Sequence, residues 1–165
     1  MTQSDARVAA IQMVSGDDVA ANLEVADRLI AEAVDVGAEL VALPENFAFV
    51  GREDAAKLAI AEPDNGGPIQ SFLETRARRH GIFLVGGTIP LRTADPLRAR
   101  AACLVYGPMG ECCVRYDKIH LFDVAVGADE SYRESDTLQA GDTVVTFDTP
   151  FARVGLAICY DLRFP

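Results

Sequence analysis

Short apolar runs alternate with a long segment of helical period at the start of this chain, and that alternation restricts it to an α/β layer fold. Arg7-Val8-Ala9-Ala10-Ile11-Gln12-Met13 is a compact apolar run, the pattern of a buried strand. Ser15-Gly16-Asp17-Asp18 breaks it and supplies N-cap side chains. Residues 19 to 36 then place Leu23, Ala26, Leu29, Ile30, Ala33 and Val34 at spacings of three and four, the stripe of an amphipathic helix closed by Gly37. Glu39-Leu40-Val41-Ala42-Leu43 follows as a second buried strand. The opening therefore reads β-α-β, with a right-handed crossover and parallel pairing expected.

The rest extends the same theme. Arg52 to Ala61 reads as a short helix, Asn65-Gly66-Gly67-Pro68 as a turn, and Pro68 as the first turn of a helix that runs to about His80 and stops at Gly81. Ile82 to Thr88 is a third strand, and residues 91 to 99 a polar loop. Arg100–Tyr106 and Cys112–Tyr116 flank Gly107-Pro108-Met109-Gly110 as a β-hairpin. Residues 119 to 142 show no clear period, and a loop of that length is usually functional or disordered. Thr143–Phe147 and Ala152–Ile158 read as two further strands, the last a strong apolar one, so a mixed sheet in one α/β unit is expected. The 165 residues are enough for one domain. The sequence stops just after an apolar strand, so residues 1–165 are expected to be the N-terminal portion of a single, longer domain.

Charge narrows the partners. Fifteen basic against 25 acidic residues give a net charge of -10, the opposite of the basic stripe a nucleic-acid binder carries. Arg76, Arg78 and Arg79 form the densest basic cluster and read as the solvated face of a helix. No apolar run approaches the ~18 residues of a membrane span, and Met1–Asp5 lacks the basic-then-apolar pattern of a signal peptide. The four cysteines, Cys103, Cys112, Cys113 and Cys159, form no C-x-x-C pair, and two histidines are too few for a zinc cluster. Reduced thiols in a cytoplasmic protein without a metal are expected.

Three residues stand where chemistry collects in α/β sheets, at the carboxyl ends of strands. Cys159 follows Val154-Gly155-Leu156-Ala157-Ile158, in the position of a nucleophile on a strand-end turn, with backbone N–H groups of the next residues free for an oxyanion. A thiol there needs a base or a cation beside it; the same position also suits a small buried hydrophobe. Glu45 follows Leu40-Val41-Ala42-Leu43-Pro44 and suits a general base, or equally a loop or capping carboxylate. Lys118, one of only two lysines with Lys57, lies in Tyr116-Asp117-Lys118-Ile119-His120-Leu121-Phe122. There it would depress a nearby thiol and stabilise an oxyanion, or sit at a strand end on the surface. Glu134 is indistinguishable on its own from its acidic neighbours. His120 reads as a structural histidine rather than as a base for Cys159.

Together these segments resemble the nitrilase superfamily of carbon–nitrogen hydrolases. Leu43-Pro44-Glu45 looks like its catalytic-glutamate motif, Tyr116 to Asp123 like its catalytic-lysine motif, and Gly155 to Pro165 like its nucleophile elbow. The lysine and cysteine segments look most like the Nit branch of amidases, which includes omega-amidase and deaminated-glutathione amidase. Glu134-Ser135, ahead of Ala140-Gly141, resembles the place of that branch's second active-site glutamate. The resemblance implies an α-β-β-α sandwich associating through its helices into a homo-oligomer, and hydrolysis of a small carboxylated amide with water as second substrate and no cofactor. It assigns Cys159 as nucleophile, Glu45 as general base and acid, Lys118 and the backbone N–H of Tyr160 as oxyanion donors, and Glu134 as orienting group. Arg163 would meet a substrate carboxylate bidentately, or pair with Asp161. Nitrile hydrolysis or acyl transfer on the same scaffold, and a non-catalytic fragment of the fold, are the alternatives.

Overall fold

The computed structural model describes residues 5–125, 127 and 131–165. Three parallel strands, β1 (Val8–Ala10), β2 (Leu40–Ala42) and β3 (Phe83–Val85), lie side by side. Three antiparallel strands extend the sheet: β4 (Ile89–Arg92), β5 (Ala99–Tyr106) and β6 (Cys112–Asp117). The order is β1-β2-β3-β5-β4, with β6 on the other edge of β5. β5 is long enough for β3 and β4 to share one of its edges, one after the other.

Two helices cover one face. α1 (Val19–Asp35) begins where Asp18 accepts the Ala21 N–H at 3.1 Å and ends where Gly37, at φ 88, lets the chain turn back. α2 (Pro68–His80) carries proline at its first turn and left-handed Gly81 at its end. Its N-terminal N–H groups are capped from outside the helix: buried Glu62 accepts from Ile69 N at 2.6 Å and Gln70 N at 3.1 Å. Ala26, Ile30, Leu73 and Ala77 pack with Val41, Leu84, Leu91 and Leu104 into one continuous core. Among the described residues no helix is long and apolar enough to cross a membrane.

On the opposite face lies a separate antiparallel ribbon, β9 (Thr146–Asp148) with β10 (Arg153–Gly155); between it and β6 in the chain comes another, β7 (Asp123–Ala125) with β8 (Ser131–Arg133). Phe147 buries against Leu40 and Val105, with Val154 and Leu156 alongside. The layers are thus helix, sheet and a second β layer.

Several expectations change. β1 is an outer strand with Val8 and Ala10 exposed, so the run is not buried. The strand expected from Ile82 to Thr88 is cut at Val85, and β4 occupies residues assigned in part to a polar loop. Arg52 to Ala61 forms 3₁₀ turns over Asp54–Ile60 rather than an α-helix. The aperiodic stretch from 119 holds β7, β8 and a 3₁₀ turn at Glu134–Asp136. Its strands are almost wholly exposed, so burial imposed no apolar alternation on their sequence. β10 ends at Gly155, and residues 156–158 run extended to Cys159 without ladder pairing along their length.

The cut after Val85 has a physical cause. Gly87 adopts φ 54, and a Cβ there would stand 2.0 Å from the Pro44 carbonyl oxygen. The backbone passes directly beneath the bend that carries Glu45. Gly87→Ala is expected to lower stability by about 2–4 kcal/mol in urea unfolding; an unchanged midpoint would show that the bend relaxes freely.

Candidate active site

Glu45 stands three residues past the end of β2. Leu43 N still bonds to Val85 O at 2.9 Å, and Asn46, at φ 56, donates its N–H to buried Thr88 Oγ1 at 2.8 Å. The bend is therefore fixed on both sides of Glu45, and the carboxylate projects past the sheet end.

Lys118 immediately follows β6. Its N–H bonds to Ala101 O at 3.0 Å, and its carbonyl accepts from Gly141 N at 2.8 Å. The side chain is 1% exposed. Nζ lies 3.1 Å from Glu45 Oε1, and 3.1 and 2.9 Å from Glu134 Oε1 and Oε2. Burial alone would lower the pKa of this ammonium. The two carboxylates outweigh that and hold it above the ordinary lysine range, so it stays charged. Glu134 Oε2 also accepts from Phe122 N at 2.7 Å, which pins the carboxylate against the lysine.

Cys159 opens a 3₁₀ segment, Cys159–Arg163, at φ 47, a left-handed conformation that costs a non-glycine residue on the order of 1–3 kcal/mol. A cavity of about 300 Å³ joins Cys159, Glu45 and Thr88, walled by Val85, Val154 and Leu156. Desolvation by burial, then the charge of Glu45, push its thiol above the ordinary range; Lys118 pulls the other way and is outweighed. Lys118 does pull this thiol down, as expected of a nearby cation, but burial and the charge of Glu45 together outweigh it. Cys103, buried in the sheet, is pushed up to about 12 by burial alone.

The structure brings Glu45, Lys118, Glu134 and Cys159 together. The N–H of Tyr160 lies in the first turn of the 3₁₀ segment, where backbone donors lack intrahelical partners. The Tyr160 ring meets Phe122 edge-on at 5.0 Å and Phe164 at 5.4 Å. Arg163 is exposed and stands apart from the residues walling the cavity. It does not pair with Asp161, whose oxygens take Tyr116, His120 and the Ile158 N–H instead. His120 is accordingly a structural histidine, its Nδ1 at 2.8 Å from Asp161 and its ring stacked on Phe164 at 3.8 Å. Sequence reasoning raised Asp161 only as an ion-pair partner and passed over Thr88 and Gly87. A single acid inside an otherwise apolar, aromatic segment was the available signal for Asp161. Among the described residues no group of histidine, cysteine and acidic side chains is arranged to hold a metal ion.

The electrostatics predict opposite effects on thiol alkylation. Glu45→Gln removes the charge that holds Cys159 up, so reaction with iodoacetamide at pH 8 should quicken roughly threefold or more, followed at Cys159 by peptide mass mapping. Lys118→Met removes the cation that pulls the thiol down and should slow it by a similar factor.

The chain matches the family model described as carbon-nitrogen hydrolase over residues 7–165. It is 38% identical over 163 residues to a deaminated glutathione amidase of Yersinia enterocolitica, covering 98% of this chain and 56% of that protein. It is 41% identical over 160 residues to the omega-amidase NIT2 of Homo sapiens, covering 96% and 56%. Among solved structures, the C. elegans NitFhit protein superposes with a TM-score of 0.83 at 30% identity, over 95% of this chain and 38% of that one. An amidase from Nesterenkonia sp. superposes with a TM-score of 0.80 at 25% identity, over 99% and 59%. The chain spans little more than half the length of the curated relatives it matches. With this match over nearly its whole length, and with Glu45 on the cavity wall beside Cys159 and bonded to Lys118, the chain belongs to the carbon-nitrogen hydrolase family and has the nitrilase fold.

Proposed function

We propose that the protein hydrolyses a small carboxylated amide to the acid and ammonia, through a thioester on Cys159. The observation that carries this reading is the buried Lys118 ammonium held between Glu45 and Glu134 beside the left-handed Cys159. The names of the relatives, omega-amidase and deaminated glutathione amidase, support an amide as substrate.

The thiol is protonated at neutral pH, so attack needs a base at the moment of bond formation. Cys159 Sγ bonds to the carbonyl carbon while its proton passes to Glu45. The carbonyl oxygen becomes an oxyanion stabilised by Lys118 Nζ and the Tyr160 N–H. One such donor is worth about 2.7–4 kcal/mol in a dry site. The C–N bond then breaks as Glu45 returns the proton to nitrogen, releasing ammonia and leaving the thioester. Water attacks the thioester carbon, Glu45 takes its proton, the acid departs, and the proton restores the thiol. Glu134 holds Lys118 in place throughout. Arg163, exposed and outside the cavity walls, is the guanidinium proposed to meet a substrate carboxylate that projects out of the cavity. A cytoplasmic homo-oligomer is the proposed setting.

Succinamate, the simplest carboxylated amide of this class, is the test substrate. Cys159→Ala should release no ammonia above background, and Lys118→Met should lose about 10³-fold or more in kcat. Rapid quenching followed by mass spectrometry should find the acyl group on Cys159. An adduct on another residue would refute the mechanism, and an acylated amine as the product would make the reaction acyl transfer.

A further inference from the structure

We infer that Asp161 is a positioning residue that sets the geometry between Cys159 and Lys118. This rests on the reading of Cys159 as the nucleophile and extends it to a group outside the reacting set. One carboxylate gathers four contacts. Oδ2 accepts from Ile158 N at 2.9 Å and from Tyr116 Oη at 2.6 Å. Oδ1 accepts from His120 N at 2.9 Å and lies 2.8 Å from His120 Nδ1.

The placement of those donors makes the argument. Ile158 directly precedes Cys159, and its N–H is the last backbone donor before the left-handed turn. Tyr116 and His120 stand two residues before and two after Lys118. Asp161 is thus the hub that ties the segment of the nucleophile to the segment of the oxyanion donor, across 41 to 45 residues of sequence. Tyr116 Oη also accepts from Ile119 N at 3.3 Å, which secures the residue next to Lys118 to the same hub.

The chemistry requires a carboxylate. An ionised carboxyl only accepts, and every one of its contacts here is a donor, which places the His120 proton on Nδ1. A carboxamide of the same shape turns one oxygen into an NH₂ group. That group would face either Ile158 N–H and Tyr116 Oη or both His120 donors. Glutamate is one methylene too long to reach all four from the same backbone position. The acid is buried among these donors, which hold it below the ordinary carboxylate range even though burial opposes this. It therefore keeps its acceptors through the working pH range. The His120 ring is held flat on Phe164 at 3.8 Å, which closes the hub on its outer side.

The test uses the purified protein with succinamate as substrate and iodoacetamide as probe of Cys159. Asp161→Asn should lower kcat by about 100-fold with KM within about threefold, the pattern of misplaced reacting groups rather than lost binding. Its alkylation rate at Cys159 should change across the pH profile as the thiol moves relative to Glu45 and Lys118. Tyr116→Phe removes one of the four contacts to Asp161, together with the bond from Ile119 N, and leaves the fold's apolar packing; it should lose about 3- to 10-fold in kcat with KM unchanged. It also decides the matter if Asp161→Asn does not fold. Tyr116→Phe should add little to Asp161→Asn in the double variant, because both act through the same hub. A folded Asp161→Asn protein with full kcat and an unaltered alkylation profile would overturn the inference, as would a Tyr116→Phe protein unchanged in both. Cys159→Ala separates this from the parent reading: if that variant still hydrolyses succinamate, the nucleophile is wrong. The alkylation profile still reports on the Asp161 hub in that case.

Discussion

A charged lysine buried to 1% exposure is the constraint around which this structure is arranged. Removing an ammonium from water costs several kcal/mol even after relaxation, and the cost is offset only by close, well-directed partners. Lys118 has two, Glu45 and Glu134, and its backbone is fixed on both sides by Ala101 and Gly141. The arrangement cannot be loosened piecemeal. Losing one carboxylate leaves a poorly compensated cation, and losing the lysine leaves two carboxylates facing each other. Beside this trio the sulfur stays a thiol, held up first by its own burial and then by the charge of Glu45, against the pull of Lys118.

The partners of Lys118 come from far along the chain, Glu45 73 residues before it and Glu134 16 after it. The sheet brings them together. Glu45 leaves the carboxyl end of β2 over a bend that only Gly87 allows to sit so close, and Lys118 leaves β6 on the far side of β5. Glu134 is supplied by the 3₁₀ turn after β8, and the Phe122 N–H holds its second oxygen. The exposed β7–β8 ribbon thus serves the site by delivering one oxygen pair to one nitrogen.

How much of this was legible in the sequence depended on what each residue touches. α1 and α2 were readable to within a residue or two, because their caps at Asp18, Gly37, Pro68 and Gly81 are local chemistry and their apolar stripes face a core. Glu45, Lys118 and Cys159 could be singled out because each follows an apolar strand, and their motifs could be matched to a family. Glu134 could not be told from neighbouring acids by local pattern, since its partner is a lysine reached through the fold. β4 was hidden because the Gly86-Gly87 step divides one apolar run into two strands that pair with successive stretches of β5. Thr88 and Asp161 act through bonds to backbone N–H groups distant in sequence, and no period or spacing records such bonds. The net shift at Cys159 was not legible for a related reason: the pull of one cation can be expected from sequence, but the burial that outweighs it appears only in three dimensions.

Three carboxylates stand near Cys159, and their hydrogen-bond capacity distinguishes them. Asp161 receives Ile158 N, Tyr116 Oη and both His120 donors, so its oxygens are committed and it is poorly suited to take up a proton. Glu134 spends both oxygens on Lys118, and one of them again on Phe122 N. Glu45 holds Lys118 through Oε1 and lines the cavity together with Cys159. It alone of the three combines a place on the wall of that cavity with an ammonium partner that would steady it through a change of charge. A base must be able to gain and lose a proton while the surrounding structure stays still. The committed oxygens of Asp161 and Glu134 supply such stillness, and Glu45 is the carboxylate proposed to carry the proton.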